Sequence, residues 1–309
     1  MNQQNPYGGQ QPQWGQPQAG GAWGQQPQQQ QQGWGQQPQQ PQWGQQQQMH
    51  PGMQHPGMQM PHQQPGHGGP SHGYDESNMI ASEASLEARS KFIERTYMHL
   101  AGAIGVFVVL TGVLQYVPGV ENLAYMMLGN WWLVLAAFIG VGWIAEKWAR
   151  GDHAVGMQYA GLILYTLAEA VIFVPLILLA REPSMLGLAE EGIGWEGIAT
   201  AGGATLAIFA GLTAYVFITK KDFSFMRGAL AALSMGALAL IVGSMIFGFN
   251  LGLVFVVGMV VLAGAYILYY TGNVLHHYRV NQHVAASLAL FSALALLFWY
   301  ILQLFMSRR

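Results

Sequence analysis

One acidic residue, Glu169, stands in the middle of an apolar stretch, "LILYTLAEAVIFVPLILLA" (residues 162–180). A carboxylate inside a membrane is energetically costly, so its presence indicates a function such as transient binding of a proton or a cation. Tyr165 and Thr166 precede Glu169 by four and three residues, which predicts that all three lie on one side of a helix. Pro175 cannot donate a hydrogen bond to the carbonyl four residues earlier, which predicts a free carbonyl and a kink.

The sequence leaves more than one interpretation of Glu169 open. It is either a titrating group on a proton or cation pathway, a protonated packing residue bonded to Tyr or Thr, or a residue near a helix end. On the pathway interpretation it is neutral at rest and ionises when the helices admit water. Tyr266 and Tyr270 are four residues apart in "AYILYYTGNV" and could reach it from a neighbouring helix. The alternative for such tyrosines is an aromatic belt at the membrane interface.

Histidines offer a second kind of titrating group. His276 and His277 begin the polar stretch "HHYRVNQH", and because His titrates near neutral pH they are candidates for a pH sensor. No acids stand beside them at ligand spacing, so they are either sensors or ordinary interfacial residues. Residues 49–67 are rich in Met and His, which suit copper. Their Pro and Gly content fixes no geometry, and we predict no metal or other cofactor.

The elements that carry these residues are predicted to cross a membrane. Only 8% of the 309 residues are charged, against a usual ~25%, and the charge-free intervals are long enough for spans of ~20 residues. The sequence "FGFNLG" (247–252) divides the longest interval in two. We therefore predict an all-α polytopic membrane protein. Its seven spans are expected near residues 96–117, 128–146, 154–180, 197–218, 228–247, 251–273 and 284–305.

Two local patterns predict how the helices begin and pack. Residues 75–95 favour a short surface helix before the first span, with Glu87 and Lys91 spaced for an ion pair. Small residues four apart on the fourth span predict a ridge on which another helix packs closely. This ridge consists of Ala199, Gly203, Ala207 and Gly211.

The N-terminal segment has a composition unlike that of the membrane body. Residues 1–74 contain no charged side chain and are rich in Gln, Pro, Gly, Met and His, with four tryptophans. Such a segment cannot bury enough apolar surface to offset its ordering entropy. We predict a disordered tail over residues 1–80 and a membrane domain over 81–309. The tail is either passive or a weak docking segment.

Lysine and arginine predict the orientation. Nine lie before the first span or in the loops on that same side, and three lie on the other side, which predicts a cytoplasmic N-terminus. Arg308 and Arg309 then fall on the less basic side. The last segment is therefore either a full span, which we favour because residues 280–307 carry no charge, or re-entrant.

Several classes of protein are excluded or disfavoured. The chain has no cysteine, so it forms no disulfide and has no thiolate metal site. It has no basic patch of the kind that nucleic acid requires. It contains no recognised catalytic motif, and we expect no enzyme. The compartment follows the host, and it is the inner (plasma) membrane in a bacterium or an internal membrane in a eukaryote. The cysteine-free sequence and its plain loops favour the bacterial inner membrane.

Three sequence motifs within roughly residues 90–307 resemble those of one known family. "YILYYTGNVLHHYRVNQHVAASLALFSALALLFWYILQLF" (266–305) is similar to the C-terminal signature of the Bax inhibitor-1 family. "AYVFITKKDFSFMRG" (214–228) is similar to the loop after its fourth helix. "TLAEAVIFVPLI" (166–177) is similar to its third helix, including Pro175.

The resemblance implies seven helices with the last one central, and a pH-sensitive leak of Ca²⁺ or other cations. In relatives that leak, two aspartates form the sensor, and the matching positions here are Tyr270 and Ala293. Neither residue titrates as a carboxylate, so the activity does not carry over with the fold. Glu169 is then the one acid left inside a span.

Two functions therefore remain open. The first is a leak in which Ca²⁺ or H⁺ is the permeant ion and Glu169 titrates. The second is a non-conducting regulator that binds other membrane proteins. Both have the lipid bilayer as a partner, and neither involves nucleic acid.

Overall fold

The computed structural model describes residues 78–150, 154–188 and 191–307. Most of the predicted tail, residues 1–77, lies outside this range. Within it, seven helical segments are long enough and apolar enough to cross a membrane, which confirms the predicted fold class. The helices are α1 (Leu86–Leu114), α2 (Val120–Gly129), α3 (Trp131–Ala149), α4 (Val155–Ile172), α5 (Val174–Arg181), α6 (Gly194–Thr219), α7 (Arg227–Phe247), α8 (Gly252–His276) and α9 (His283–Met306).

The seven predicted spans correspond to α1, α3, the pair α4–α5, and α6 to α9. The short helix α2 was not predicted. It follows the C-terminal end of α1 and packs against α5. The predicted break at 247–252 falls where α7 ends and α8 begins. For the rest of this description, the basic end of the bundle is the end where α1 starts and α8 stops, and the Arg181 end is the opposite one.

A separate surface helix before the first span is not present in the described residues. The side chain of Ser85 accepts a hydrogen bond from the backbone N–H of Ala88 and caps α1, which then runs unbroken into the span. The expected ion pair does form, with Lys91 Nζ 2.6 Å from Glu87 Oε1. No residue between this pair and the span breaks a helix, so the polar start and the apolar span form one element.

The last helix, α9, is central, as the resemblance implied. It packs against α1, α3, α4, α6 and α8, and Leu290, Phe291, Leu297 and Leu302 are fully buried. It is unbroken over 24 residues, so it is long enough for a full crossing. In contrast α7 is peripheral, because it packs mainly against α8 and buries a single residue, Leu230.

The predicted small-residue ridge on α6 does not face another helix. Its four members are exposed, and a Cβ added at Gly203 or Gly211 would meet nothing within 4 Å. Other residues of α6, among them Ala201, Thr205 and Phe209, are buried instead. The prediction is wrong because both faces of α6 carry small residues, and spacing alone does not tell which face meets the bundle.

Residues just before α1 are tied to the loop that joins α8 to α9. The backbone N–H of Ala81 donates to the carbonyl of Tyr278 at 2.9 Å, and Val280 donates to Met79 at 3.0 Å. The guanidinium of Arg89 reaches the carbonyl of Leu275 at 3.5 Å. This arrangement fixes the start of the first span against the basic end of α8.

Candidate functional site

Glu169 lies on α4, deep inside the span formed by α4 and α5. It follows Val155, the first residue of α4, by fourteen residues, or about 21 Å of helix. Only 5% of its surface is exposed, so it does not lie at an end of the span. Tyr165, one turn earlier on the same helix, borders the same cavity as Glu169.

The helix is interrupted just after Glu169, as Pro175 predicts. Phe173 separates α4 from α5, and its N–H bonds to the carbonyl of Glu169 at 3.1 Å. The carbonyl that Pro175 leaves without its usual donor belongs to Val171, four residues earlier. The free carbonyl expected at Val171 stays a prediction.

Glu169 borders a cavity of about 1100 Å³ that lies among α3, α4, α5, α7, α8 and α9. Five of the six residues predicted for an ion or proton pathway line it: Glu169, Tyr165, Pro175, Tyr266 and Tyr270. Ala293 lines it too. The structure thus brings Glu169 into the same cavity as Tyr270 and Ala293, the two positions that the resemblance matches to sensor aspartates.

Thr166 is the pathway candidate that the structure places elsewhere. Its hydroxyl donates to the carbonyl of Leu162 at 2.9 Å. It borders a different, smaller cavity beside α1, together with His99 and Val106. Thr166 is therefore removed from the site, and the hydrogen bond that it makes is a local one within α4.

The two tyrosines of α8 face the cavity, and neither is shown bonded to Glu169. The hydroxyl of Tyr266 is 2.8 Å from the hydroxyl of Ser234 on α7. The rings of Tyr266 and Tyr270 are stacked with centroids 5.5 Å apart, and Tyr270 also contacts Tyr269. The aromatic rings thus form one wall of the cavity and bridge α8 to α7.

Sequence reasoning missed two serines of this cavity, Ser234 on α7 and Ser292 on α9. The hydroxyl of Ser292 donates to the carbonyl of Ala289 at 2.8 Å. The available signal was a hydroxyl in an otherwise apolar helix. That signal is weak, because a serine in a helix can satisfy itself on its own backbone.

His276 and His277 lie at the basic end, outside the cavity. The Nε2–H of His276 donates to the carbonyl of Lys220 at 3.1 Å. His277 Nε2 lies 3.1 Å from a carboxylate oxygen of Asp222. Both histidines therefore join the end of α8 to the loop between α6 and α7.

The electrostatics of this contact are centred on Asp222. Partial burial alone would raise the pKa of its carboxyl. Hydrogen bonds from the backbone and hydroxyl of Ser224 and from His277 outweigh that effect, so the pKa lies below its usual value. The folded state thus favours the ionised form of Asp222, which is the form that pairs with protonated His277.

No cluster of three or more His, Asp or Glu residues able to hold a metal occurs among the residues that the structure describes. The Met- and His-rich stretch 49–67 falls outside them.

Comparisons with known proteins agree with the fold. The family model described as "Inhibitor of apoptosis-promoting Bax1" matches residues 89–309. An uncharacterized protein of Pseudomonas aeruginosa is 27% identical over 224 residues, which cover 72% of this chain and 93% of that protein. An uncharacterized protein of Pasteurella multocida is 28% identical over 215 residues, covering 69% and 87%. Bax inhibitor 1 of Schizosaccharomyces pombe is 27% identical over 229 residues, covering 72% and 79%. No solved structure matches the chain significantly.

Proposed function

The chain belongs to the Bax inhibitor-1 family, and on that premise we propose that it mediates a pH-controlled leak of protons or Ca²⁺ in which Glu169 titrates. The observation that carries this proposal is the position of a buried carboxyl at the wall of a cavity of about 1100 Å³. A carboxyl that only served packing would need hydrogen-bond partners but no such space beside it.

The extent of the cavity supports a pathway. It begins at the Arg181 end, where Gly252 and Ser307 line it, and continues along α8 as far as Tyr270. Eighteen residues of α8 separate Gly252 from Tyr270, which is about 27 Å of helix. From Tyr270 to the last residue of α8, His276, the distance is about 9 Å. An ion that entered from the Arg181 end would therefore meet its main barrier at the tyrosines.

The chemistry of the cavity supports control by protonation. Its lining is mostly apolar, and an apolar environment disfavours a charged carboxyl. On this proposal Glu169 is protonated while the cavity is dry, and Tyr165 on the same helix is a polar neighbour in the lining. When water enters, Glu169 ionises and offers a cation a transient partner.

The lining of the cavity also supports a leak that does without the two aspartates of the leaking relatives. The matching residues, Tyr270 and Ala293, line the same cavity as Glu169. One carboxyl on α4 then replaces two carboxyls on α8 and α9. A single carboxyl cannot share a proton with a second one, so we expect one titration step.

The test is ion flux into liposomes that contain the purified protein, measured from about pH 5 to about pH 8. Wild type should conduct more as the pH rises. Glu169→Gln keeps the shape and removes the titration, so its flux should stay low and independent of pH. An identical flux and pH profile in wild type and Glu169→Gln would make Glu169 a packing residue.

The second candidate function, a non-conducting regulator that binds other membrane proteins, is favoured by one observation. The chain has Tyr270 and Ala293 where leaking relatives have acids. If wild type conducts neither H⁺ nor Ca²⁺ at any pH in this range, the leak is refuted and the regulator remains.

A further inference from the structure

The cavity beside Glu169 has an outer wall that faces the bilayer. Ala237 and Ile241 of α7 line it and are half-buried. Met235 and Ile246, on the other side of α7, are exposed. A helix with one face on a cavity and the other exposed stands between that cavity and the lipid.

The opposite wall is α3, through Trp131, Leu135 and Phe138. This helix packs mainly against α4, whereas α7 packs mainly against α8. Since α3 and α7 each pack on a different neighbour, the space between them is the side on which the cavity meets the bilayer.

Polar side chains line the cavity in two groups, and the rest of its lining is mostly apolar. Ser244, Gln303 and Ser307 lie toward the Arg181 end, where α7 and α9 stop. Glu169 lies near mid-depth, twelve residues or about 18 Å of helix before Arg181, and Tyr165 lies one turn deeper, with the serines and tyrosines described above. A largely apolar pocket with a few convergent polar groups is the usual form of a ligand site, and this polarity fits a molecule with one polar end.

We propose that the cavity binds one acyl chain of a membrane phospholipid, which enters sideways between α3 and α7. The polar end of the lipid lies near Gln303 and Ser307, and the chain extends toward Glu169. Half of the ~30 Å hydrocarbon core is about 15 Å, so a chain from that leaflet ends near the depth of Glu169.

Two physical arguments favour an acyl chain over an empty cavity and over a cavity filled with water. An empty apolar cavity of this size is strongly unfavourable, because its lining loses contacts. A buried water needs two to four polar partners, and most of the side chains that line this cavity are apolar. Lipid chains already surround α3 and α7, so they are the apolar material at hand.

Binding of the acyl chain does not depend on the proposed leak. Its effect on the leak does rest on that function: a bound chain keeps water from Glu169, and its departure admits water. The bound lipid then blocks the cavity and stabilises the closed state.

The test is native mass spectrometry of the full chain taken from vesicles of palmitoyl-oleoyl phosphatidylcholine into detergent. Ala237→Trp fills the cavity from α7, and Ala239→Trp on the exposed face of the same helix is its control. Leu135→Trp fills it from α3, and Leu133→Trp is the exposed control there. Two filled variants on different helices guard against one failing to fold.

Wild type and both controls should retain one phospholipid per protein molecule after washing that removes lipid from the protein surface. The filled variants should retain about tenfold less. Equal retention in all five proteins would mean surface lipid only, and no retention by wild type would mean a cavity without lipid; either result overturns the proposal. This experiment measures the mass of the complex and not an ion flux. A protein that binds lipid but conducts no ions would therefore refute the leak and leave the lipid site standing.

Discussion

The substitution Gly161→Ala tests the packing that holds the Glu169 helix in place. A Cβ at this position would lie 2.5 Å from the carbonyl oxygen of Ala145 and 2.9 Å from the backbone nitrogen of Ala149. Both are main-chain atoms of α3, so neither turns aside as a side chain would. The methyl group must therefore push α3 away from α4.

The magnitude follows from two opposing effects. Overpacking a tight contact costs about 1–3 kcal/mol, and replacing Gly by Ala inside a helix returns about 0.5–1 kcal/mol. The difference between these ranges is a net loss of about 0–2.5 kcal/mol in the free energy of unfolding. Because both close atoms belong to the main chain, we expect the upper part of that range, about 1–2.5 kcal/mol, or about 2–10 °C in melting temperature for a domain of this size. Gly105→Ala is the matched control, since a Cβ there would meet nothing within 4 Å.

The assay is thermal unfolding of the purified chains in one detergent, followed by loss of helical circular dichroism. Gly161→Ala should melt below wild type, and Gly105→Ala at or above it. Equal melting temperatures for the two variants would refute the close contact between α3 and α4 and, with it, the position of α3 as a wall of the cavity.

Three further predictions concern the tail, the orientation and the basic end. Deleting residues 2–77 should leave insertion and melting temperature unchanged, whereas deletion through residue 84 removes the contacts of Ala81 with the α8–α9 loop and should lower the melting temperature. A single cysteine in the loop 219–227 should resist an impermeant thiol reagent in intact cells, and labelling from outside would reverse the orientation. The folded pKa of Asp222 is lowered, so this carboxyl stabilises the fold above its unfolded pKa, and that contribution is lost as the pH falls through the folded pKa. Asp222→Asn should therefore cost about 0.2–1 kcal/mol near neutral pH, as for an exposed pair, and nothing in strong acid; a pH-independent difference in melting would contradict this.

The spans were predictable because charge is so costly in a bilayer that charge-free intervals mark them directly. The helix break was predictable as well, because Pro175 lacks the donor that a continuous helix needs. The position of α2 was not, since a ten-residue helix is too short to span and leaves no comparable signal.

The candidate site was predictable only within single helices. Tyr165 lies one turn from Glu169 and borders the same cavity, as helix periodicity requires. Thr166 does not, because adjacent residues point about 100° apart on a helix, and here Tyr165 takes the side that faces the cavity. Contacts between helices, such as that of Tyr266 with Ser234, depend on rotations about helix axes that spacing does not encode.

The central claim is that Glu169 changes its protonation state inside the membrane, and infrared spectroscopy tests it most directly. A protonated carboxyl has a C=O stretch that is distinct from the bands of a carboxylate, so difference spectra across about pH 5 to 8 follow its titration. The account predicts a protonated carboxyl band that disappears as the pH rises, in step with increasing ion flux, and that is missing in Glu169→Gln. A band that is absent from wild type, that persists unchanged across this range, or that is still present in Glu169→Gln would contradict it.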